Sequence, residues 1–443
     1  MSDELEWIDT FKEIAFEQNE PERSKERKRD ESRRRGRDVS DQVYLSIMRD
    51  EDGVIRLDTR DEVHVSKNPT GRRGSRRRQR PDTLIDEIPL SALPPSDVYK
   101  ALEKVDLKLT PKASTAAFAQ KGSSKPRSGL RQLHSQNRKW IPIDRPTANG
   151  KVLLIIHGTF SNNDTTLKHM LGTQDGALFL TQALGHYDQV IGYDHRTLGV
   201  SPILNARELA LLFEGSQAEI DIVCHSRGGL VARWFVEAFD HNLRRKTRVV
   251  FVGAPLAGTG LASPHNVRQT MELFSNIASV FGKGVGAIPF LEIVSLLARI
   301  TGYLLKGVSQ TPIADAAIAL VPGLDSMSRI GNNHELLLAQ RDMHASYRNN
   351  YFAVISNFEP EDVSWRFWKA FRNPVDRVKD WGADTLFDGE NDLVVDTVSM
   401  RRLSDTHQIS AANTLDYGTS KTVHHTNYFQ QNDFYQKLDA WLL

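Results

Sequence analysis

The stretch Ile220–Leu230, IDIVCHSRGGL, indicates a buried β-strand that turns sharply into a helix. Its apolar beginning is typical of a strand that is covered on both faces of a parallel sheet. It ends in the pattern x-His-Ser-x-Gly-Gly of a nucleophile elbow, a tight turn that holds a serine at strained backbone angles above the sheet. We therefore predict that Ser226 is a nucleophile and that the backbone amide of Arg227 points at the same space.

Apolar runs and helical patterns alternate on both sides of this stretch. Strands are predicted at Val152–Ile156, Val190–Tyr193, Arg248–Gly253 and Tyr351–Ser356, and helices at about 165–184, 205–213 and 229–239. Strands that alternate with helices at this spacing predict an α/β fold with three layers around a mostly parallel sheet.

The composition separates the chain into a basic beginning and a mildly acidic body. Residues 1–150 hold 31 Lys and Arg against 26 Asp and Glu, while the remainder holds 26 against 30. Cys224 is the single cysteine, so a disulfide framework is excluded and a reducing compartment fits. The acidic N-terminus lacks the basic start and apolar run of a signal peptide. A cytoplasmic location is therefore expected.

Residues 1–139 are predicted to form a basic, partly disordered accessory region ahead of a catalytic body at 140–443. Two arginine-rich runs, 33–37 and 72–80, lie in this region, and the alternating pattern over 42–65 predicts a small strand-rich unit. The basic runs suit solvated linkers or contact with an anionic membrane surface. No aromatic residues interrupt the arginines, which argues against a nucleic-acid partner. We expect this region to localise or regulate the protein and not to catalyse.

A serine hydroxyl is a weak nucleophile near neutral pH, so it needs an adjacent base that an acid orients. The C-terminal part of the chain offers an acid in the sequence NDLVV, at Asp392, and two histidines in VHHTNYF, at His424 and His425. Asp388 and Asp396 are alternative acids. Either histidine could reach a serine from the same short loop.

These motifs resemble the lipase and esterase branch of the α/β-hydrolase superfamily, in which serine, acid and histidine follow in this order. The likeness covers about residues 140–443 and is greatest to bacterial lipase-like proteins related to the inositol deacylases of lipid-anchored proteins. It implies an α/β-hydrolase sandwich in which Ser226, Asp392 and His425 form the catalytic triad.

The same resemblance assigns the oxyanion hole. The segment His157–Thr159 looks like the family's His-Gly-x segment, so the backbone amides of Thr159 and Arg227 would bind the oxyanion. The sequence departs from the family at two positions. Cys224 stands where the family has glycine before the elbow, and Leu393 stands where the acid loop has glycine.

An insertion at about 258–345 is predicted to form a helical cap over the site. Its segment Phe290–Leu305 is apolar around most of a helix, which fits either a helix buried in the cap core or an acyl-binding surface that leans on a membrane. A transmembrane span is not predicted, because Pro289 and several charges interrupt the apolar stretch.

The resemblance implies a serine hydrolase that cleaves carboxylic esters, with a lipid or other acyl ester as substrate, through an acyl-serine intermediate. Two alternatives remain at this point: a catalytically inactive adaptor that binds a membrane or a partner, and an acyltransferase with the same triad. No Cys/His cluster has metal-ligand spacing and no glycine-rich phosphate loop follows a strand, so no cofactor or metal is expected. The sequence carries no signal for the oligomeric state.

Overall fold

In the computed structural model, the chain forms two compact units. The first comprises residues 1–98, 268–313 and 364–376, and the second comprises 99–267, 314–363 and 377–443. Side chains are described for Asp106 and for residues 129–240, 247–262, 323–328, 349–359 and 390–443, and at Pro322 the backbone alone is described. For residues 44–49, 55–60 and 83–89 the backbone alone is described.

The first unit contains a three-stranded antiparallel sheet. Its strands are β1 (Tyr44–Arg49), β2 (Ile55–Arg60) and β3 (Thr83–Pro89). They lie in the order β2-β1-β3, and a register shift between Ile47 and Met48 interrupts the pairing of β1 with β3. Two strands that the alternation over residues 42–65 predicts are therefore present, and the end of that pattern, residues 61–65, lies outside the described residues.

An eight-stranded sheet forms the centre of the second unit. In chain order its strands are β4 (Gly129–Leu133), β5 (Trp140–Ile143), β6 (Lys151–Ile156), β7 (Gln189–Asp194), β8 (Glu219–His225), β9 (Thr247–Val252), β10 (Tyr351–Phe358) and β11 (Thr414–Ser420). Across the sheet they follow the order β11-β10-β9-β8-β6-β7-β4-β5. β4 is antiparallel to both of its neighbours, and the other described pairs are parallel.

Helices cover both faces of this sheet. Among the described residues these are α1 (Asn163–Leu171), α2 (Gln174–His186), α3 (Pro202–Leu212), α4 (Gly228–Trp234) and α6 (Asn432–Leu442), and a further helix, α5 (Pro322–Asp325), is a single turn outside the two cores. α4 continues as one π-helical turn over Phe235–Phe239. Short 3₁₀ turns in the described part of the chain include Gly260–Ala262, Ala411–Asn413 and Tyr428–Gln430.

Alternate side chains of the central strands pack into two separate hydrophobic cores, one on each face of the sheet. In β6, Leu154 belongs to the cluster that contains α3 and α4, whereas Leu153 and Ile155 belong to the cluster that contains α1, α2 and α6. Both faces of such a strand are buried, which explains why it forms one continuous apolar run. The predicted three-layer α/β fold, in which helices sandwich a mostly parallel sheet, is confirmed.

The sheet also contains strands that the sequence pattern does not indicate. β4 lies within residues 1–139, so the sheet begins inside the segment that the sequence assigns to the accessory region. Its sequence GLRQL does not look like a buried strand because it contains an arginine. The guanidinium of Arg131 is accommodated there because it donates to Asp194 and Asp164. β11, TLDYGTS, is an edge strand whose half-exposed side chains leave it without an apolar run.

The predicted cap is described in two short pieces, residues 258–262 and 322–328. The apolar segment Phe290–Leu305 lies outside the described residues. Among the described helices, none combines the length and the hydropathy that crossing a membrane requires.

Arg248 on β9 holds the end of the C-terminal helix α6. Its guanidinium donates to the carbonyl oxygens of Trp441 (2.7 Å) and Leu442 (2.9 Å) and, through Nε, to Asp221 (2.9 Å). The hydroxyl of Tyr187 lies 2.8 Å from Asp221 Oδ2 and 3.0 Å from the Leu442 carbonyl oxygen. The last carbonyls of a helix have no partner within it, so these donors replace the missing bonds.

We predict that Arg248→Ala lowers the free energy of unfolding by about 2 kcal/mol, because two helix-end carbonyls and Asp221 lose a charged donor. Urea denaturation would measure the loss. Arg402→Ala is the matched control: Arg402 pairs with Asp405 at the surface (2.7 Å), where an ion pair contributes about 0–1 kcal/mol. Equal losses for the two variants would show that the contacts of Arg248 do not stabilise α6.

Candidate active site

Ser226 sits at the turn between β8 and α4 in a conformation that L-residues rarely adopt. Its φ angle is +52°, in the left-handed region, where a side chain normally strains the backbone. The turn is held by two backbone hydrogen bonds, from the Ser226 amide to the carbonyl oxygen of Val252 and from the Gly229 amide to that of Ser226 (both 2.9 Å). The strained strand-to-helix turn that the sequence predicts is thus present.

The two glycines after Arg227 let the first turn of α4 approach the strand ends. A Cβ atom at Gly228 would lie 2.6 Å from the carbonyl oxygen of Ile156, at the end of β6. One at Gly229 would lie 2.5 Å from Cβ of Ala254, which follows β9. Larger residues at these positions would push the elbow away from both strands.

Asp392 lies fully buried in a loop next to the end of β10. One carboxylate oxygen, Oδ1, accepts the backbone N–H groups of Val394 (3.1 Å) and Val395 (2.9 Å). The other, Oδ2, accepts Nδ1–H of His425 (2.8 Å) and the hydroxyl of Tyr428 (2.9 Å). Four hydrogen bonds offset the desolvation of this carboxylate, which has no exposed surface.

Leu393 occupies the position at which the resemblance implies glycine, and it keeps the backbone conformation that favours glycine. Its φ angle is +85°, and its amide donates to Oδ1 of Asn391 (3.0 Å). The leucine side chain is buried at the same time. The departure from the family pattern therefore changes the residue and leaves the tight turn after Asp392 in place.

Of the two candidate histidines, His425 is the one that contacts Asp392. Its backbone amide also donates to the carbonyl oxygen of Asp392 (3.0 Å), which fixes the loop as well as the ring. With the hydrogen on Nδ1, Nε2 is the nitrogen that keeps a lone pair. His424 instead lies with Nδ1 3.1 Å from the hydroxyl of Thr426 and with its ring edge-on to Phe358.

The alternative acids have different positions. Asp396 forms an isolated antiparallel β-bridge with Asn391, and this bridge closes the loop that carries Asp392. Asp388 lies outside the described residues.

His225 connects the elbow to the histidine loop. Its Nε2–H donates to the carbonyl oxygen of His425 (2.8 Å), and the centres of the two rings lie 4.9 Å apart. Burial, with a smaller contribution from His425, lowers the pKa of His225 to about 3. The ring is therefore neutral near pH 7 and serves as a hydrogen-bond donor to the loop that carries His425.

The segment after β6 passes directly beside the elbow. A Cβ atom at Gly158 would lie 2.8 Å from Cβ of Ser226 and 3.1 Å from the carbonyl oxygen of His225, so the segment leading to Thr159 passes close to the elbow. The Thr159 hydroxyl lies 3.7 Å from Sδ of Met327. His157 donates from Nδ1 to the carbonyl oxygen of Gly158 (2.9 Å) and accepts at Nε2 from the backbone amide of His195 (3.1 Å). His157 thereby ties this segment to the end of β7, and burial lowers its pKa.

Arg227 has a fully buried side chain that reaches away from Ser226. Its guanidinium donates to Oδ1 of Asn205 on α3 (2.9 Å), to the carbonyl oxygen of Val200, and through Nε to that of Gly323 (3.3 Å). These contacts bind the residue after the serine to the loop that precedes α3 and to α5.

The structure thus brings the sequence-predicted residues to one end of the sheet. Ser226 follows β8 directly, and Thr159 lies three residues after the end of β6. His425 follows β11, and the loop of Asp392 is fixed to β10 by the bond from the Phe358 amide to the Asn391 carbonyl oxygen (2.8 Å). The carboxyl ends of parallel strands are where α/β sheets bind ligands.

Two residues of this site escape sequence reasoning. Gly253, after β9, has a φ of +55°, and a Cβ atom there would lie 3.1 Å from Asp392 Oδ2 and 3.2 Å from His425 Nδ1. Tyr428 donates to the same Oδ2 as His425. A glycine that ends a strand is a usable signal, whereas nothing in the sequence distinguishes Tyr428 from a core tyrosine.

Cys224, the residue before His225, packs below the elbow. Its thiol lies 3.4 Å from the carbonyl oxygen of Val250, and burial raises its pKa well above the usual value. Within the described part of the chain, no group of three or more His, Cys, Asp and Glu side chains could hold a metal ion.

A family model described as a domain of unknown function (DUF7379) matches residues 127–443. A search of curated proteins gives no match. Among solved structures, the chain is similar to lipase 1 from Pelosinus fermentans, with 12% identity, a TM-score of 0.39, and coverage of 66% of this chain and 99% of that chain. It is also similar to the Cif epoxide hydrolase from Acinetobacter nosocomialis (13% identity, TM-score 0.37, coverage 80% and 98%) and to a thermophilic esterase from Thermogutta terrifontis (13%, 0.32, 67% and 90%). Likeness at this level carries no argument about activity.

We predict that Gly253→Ala disturbs the bond between His425 and Asp392, because the new methyl group would meet both partners. A downfield proton NMR signal from Nδ1–H of His425 would report that bond, and it should shift or disappear. Gly418→Ala is the matched control: its φ is +57°, and a Cβ atom there meets nothing within 4 Å. Both changes should cost about 1–2 kcal/mol of backbone strain, so an unchanged signal in Gly253→Ala would contradict the prediction.

We also predict that stability falls as pH is lowered from about 6.5 towards 4. Burial lowers the pKa of His424 to about 4 in the folded protein. Between these values the unfolded chain binds the proton and the folded chain does not, so acid favours unfolding. His424→Gln should flatten the dependence of the unfolding free energy on pH in this window, as measured by urea titrations at several pH values. Parallel curves for the parent and the variant would show that His424 does not contribute.

Proposed function

We propose that this chain, which belongs to the DUF7379 family, hydrolyses carboxylic esters through an acyl intermediate on Ser226. The observation that carries the proposal is the hydrogen bond of His425 to the buried Asp392, at the end of the sheet where Ser226 occupies a strained turn. A carboxylate-oriented imidazole and a serine on an elbow, at the same end of the sheet, are the groups from which a nucleophilic hydroxyl is built.

In this mechanism Nε2 of His425 takes the proton of the Ser226 hydroxyl as Oγ attacks the ester carbonyl carbon. Asp392 holds the imidazole in the Nδ1–H tautomer and stabilises the imidazolium that forms. The backbone amides of Thr159 and Arg227 donate to the oxyanion of the tetrahedral intermediate. The imidazolium then protonates the leaving alkoxide, and acyl-Ser226 remains.

Water completes the cycle. His425 removes a proton from the water that attacks the acyl carbon, and the collapsing intermediate releases the acid and returns the proton to Ser226. The neutral state of His225 favours both steps, because its ring is 4.9 Å from that of His425 and its pKa is about 3. No second positive ring then opposes the imidazolium.

Two sequence features support the proposed substrate class. The apolar segment Phe290–Leu305 supports an ester with an apolar acyl part, such as a lipid. The arginine runs at 33–37 and 72–80 support peripheral contact with an anionic membrane surface from the cytoplasm. The motifs at Ser226 and Asp392 are also the basis for placing the chain near inositol-deacylase-type lipases.

We predict that a fluorophosphonate probe labels the parent chain and not Ser226→Ala, and that mass spectrometry finds the adduct on Ser226. Hydrolysis of a soluble p-nitrophenyl ester should fall at least about 1,000-fold in Ser226→Ala and His425→Ala, because triad members act as a unit. His424→Ala is the matched control and should keep most of the activity. Asp392→Asn should also be severe, with Asp388→Asn as its control.

Each failure has a distinct meaning. A folded parent chain with neither labelling nor hydrolysis would favour the adaptor alternative. Loss of activity in His424→Ala with an active His425→Ala would move the base to His424. An ester product formed in the presence of an added alcohol would identify acyl transfer from the same acyl-enzyme.

A further inference from the structure

We propose that Asp106 is a positioning residue of this active site, which holds the loop Thr197–Gly199 and through it both proposed oxyanion amides. The inference rests on the proposed function. Asp106 precedes the family match at 127–443 and lies inside residues 1–139, which the sequence assigns to a region that does not catalyse.

The carboxylate of Asp106 is fully buried and is bound by three successive backbone amides. Oδ1 accepts the N–H groups of Thr197 and Leu198 (both 2.9 Å), and Oδ2 accepts that of Gly199 (2.7 Å). Consecutive amides that converge on one anion form a nest, a backbone arrangement that selects negative charge. The loop after β7 is therefore folded around a side chain that lies more than ninety positions away in the chain.

One chain of hydrogen bonds leads from Asp106 through Thr197 to the residue after Thr159. The hydroxyl oxygen of Thr197 accepts the backbone N–H of Phe160 (3.4 Å), the residue after Thr159. Phe160 has a φ of +57°, a strained value that needs fixed surroundings to persist. Because Thr197 is held by Asp106, a shift of the carboxylate would release the turn that aims the Thr159 amide.

The other chain of hydrogen bonds reaches Arg227, whose amide is the second proposed donor. Its guanidinium donates to the carbonyl oxygen of Val200, directly after the Asp106-bound loop, and to Asn205. Gly323 also connects the Asp106-bound loop to Arg227. Its amide donates to the carbonyl oxygen of Leu198 (2.9 Å), and its own carbonyl oxygen accepts from Arg227 Nε (3.3 Å).

The charges of Asp106 and Arg227 are also complementary. Burial raises the pKa of Asp106, while the three amides and the positive charge of Arg227 act in the opposite direction. Both side chains are fully buried, so removing the negative charge would leave the guanidinium with less compensation. Two donors to one oxyanion thus depend on a single carboxylate.

The decisive variant is Asp106→Asn in the full chain. An amide can keep two of the acceptor contacts, but its NH₂ group then faces the N–H of Gly199. We expect kcat for a soluble p-nitrophenyl ester, and the rate constant for fluorophosphonate labelling of Ser226, to fall about 10- to 100-fold, somewhat less than on removal of an oxyanion donor. KM should stay within about twofold, because the loss falls on the transition state.

Asp221→Asn is the matched control. Asp221 is another buried carboxylate, bound by Tyr187 and Arg248, and it lies near the start of β8, about 13 Å along the strand from His225. The Asp221→Asn variant should therefore have a lower melting temperature than the parent and an unchanged kcat. If Asp106→Asn behaves in the same way, Asp106 stabilises the fold only and the inference is wrong.

Thr197→Val tests the link without disturbing the carboxylate. It removes the oxygen that accepts from Phe160 and keeps the size of the side chain, so it decides the question even if Asp106→Asn does not fold. We expect a lower kcat with a melting temperature close to that of the parent. If the parent chain is active and Thr197→Val has the same kcat, the inference is wrong while the proposed function stands. If the folded parent chain shows neither hydrolysis nor labelling, the proposed function is wrong, and this inference with it.

Discussion

A carboxylate without exposed surface must find all of its hydrogen bonds inside the protein, and at Asp392 this constraint organises the candidate site. Two of its four donors come from its own loop, at Val394 and Val395, and they fix the position of the carboxylate. The other two, from His425 and Tyr428, belong to the segment after β11. The loop beside β10 and the C-terminal segment are therefore joined through one charged group, and the ring of His425 has its direction before any ligand arrives.

Much of this architecture can be predicted because central strands and the elbow are local features. β6 and β8 are buried on both faces, which leaves continuous apolar runs, and the Ser-x-Gly-Gly pattern requires no distant contact to be recognised. β4 and β11 escape prediction for the opposite reason. Arg131 and Gln132 give β4 the composition of a linker, although the buried Arg131 is paired with Asp194. β11 lies at the edge of the sheet, where polar residues are tolerated.

The site residues divide in the same way. The order of serine, acid and histidine narrows the candidates, but two histidines in succession differ only in which one the fold turns towards Asp392. Asp106 matters through contacts more than ninety positions along the chain, so no local window of sequence contains the evidence for it. Gly253 can be noticed as a glycine that ends a strand, but its contacts with Asp392 and His425 are also distant in sequence. Leu393 shows a further limit, since its φ of +85° cannot be read from a leucine. The buried leucine side chain is held in this conformation by its surroundings.

The burial of Cys224 has a practical consequence. It is the single thiol of the chain, and it lies in β8 two residues before Ser226, with no exposed surface and a raised pKa. Thiol reagents react with the thiolate, so the native protein should resist them until β8 separates from its neighbours. The rate of modification then reports the opening of the strand that carries the elbow, in the way that amide exchange reports local unfolding. The modification rate of Cys224 therefore measures how often the central strand β8 opens.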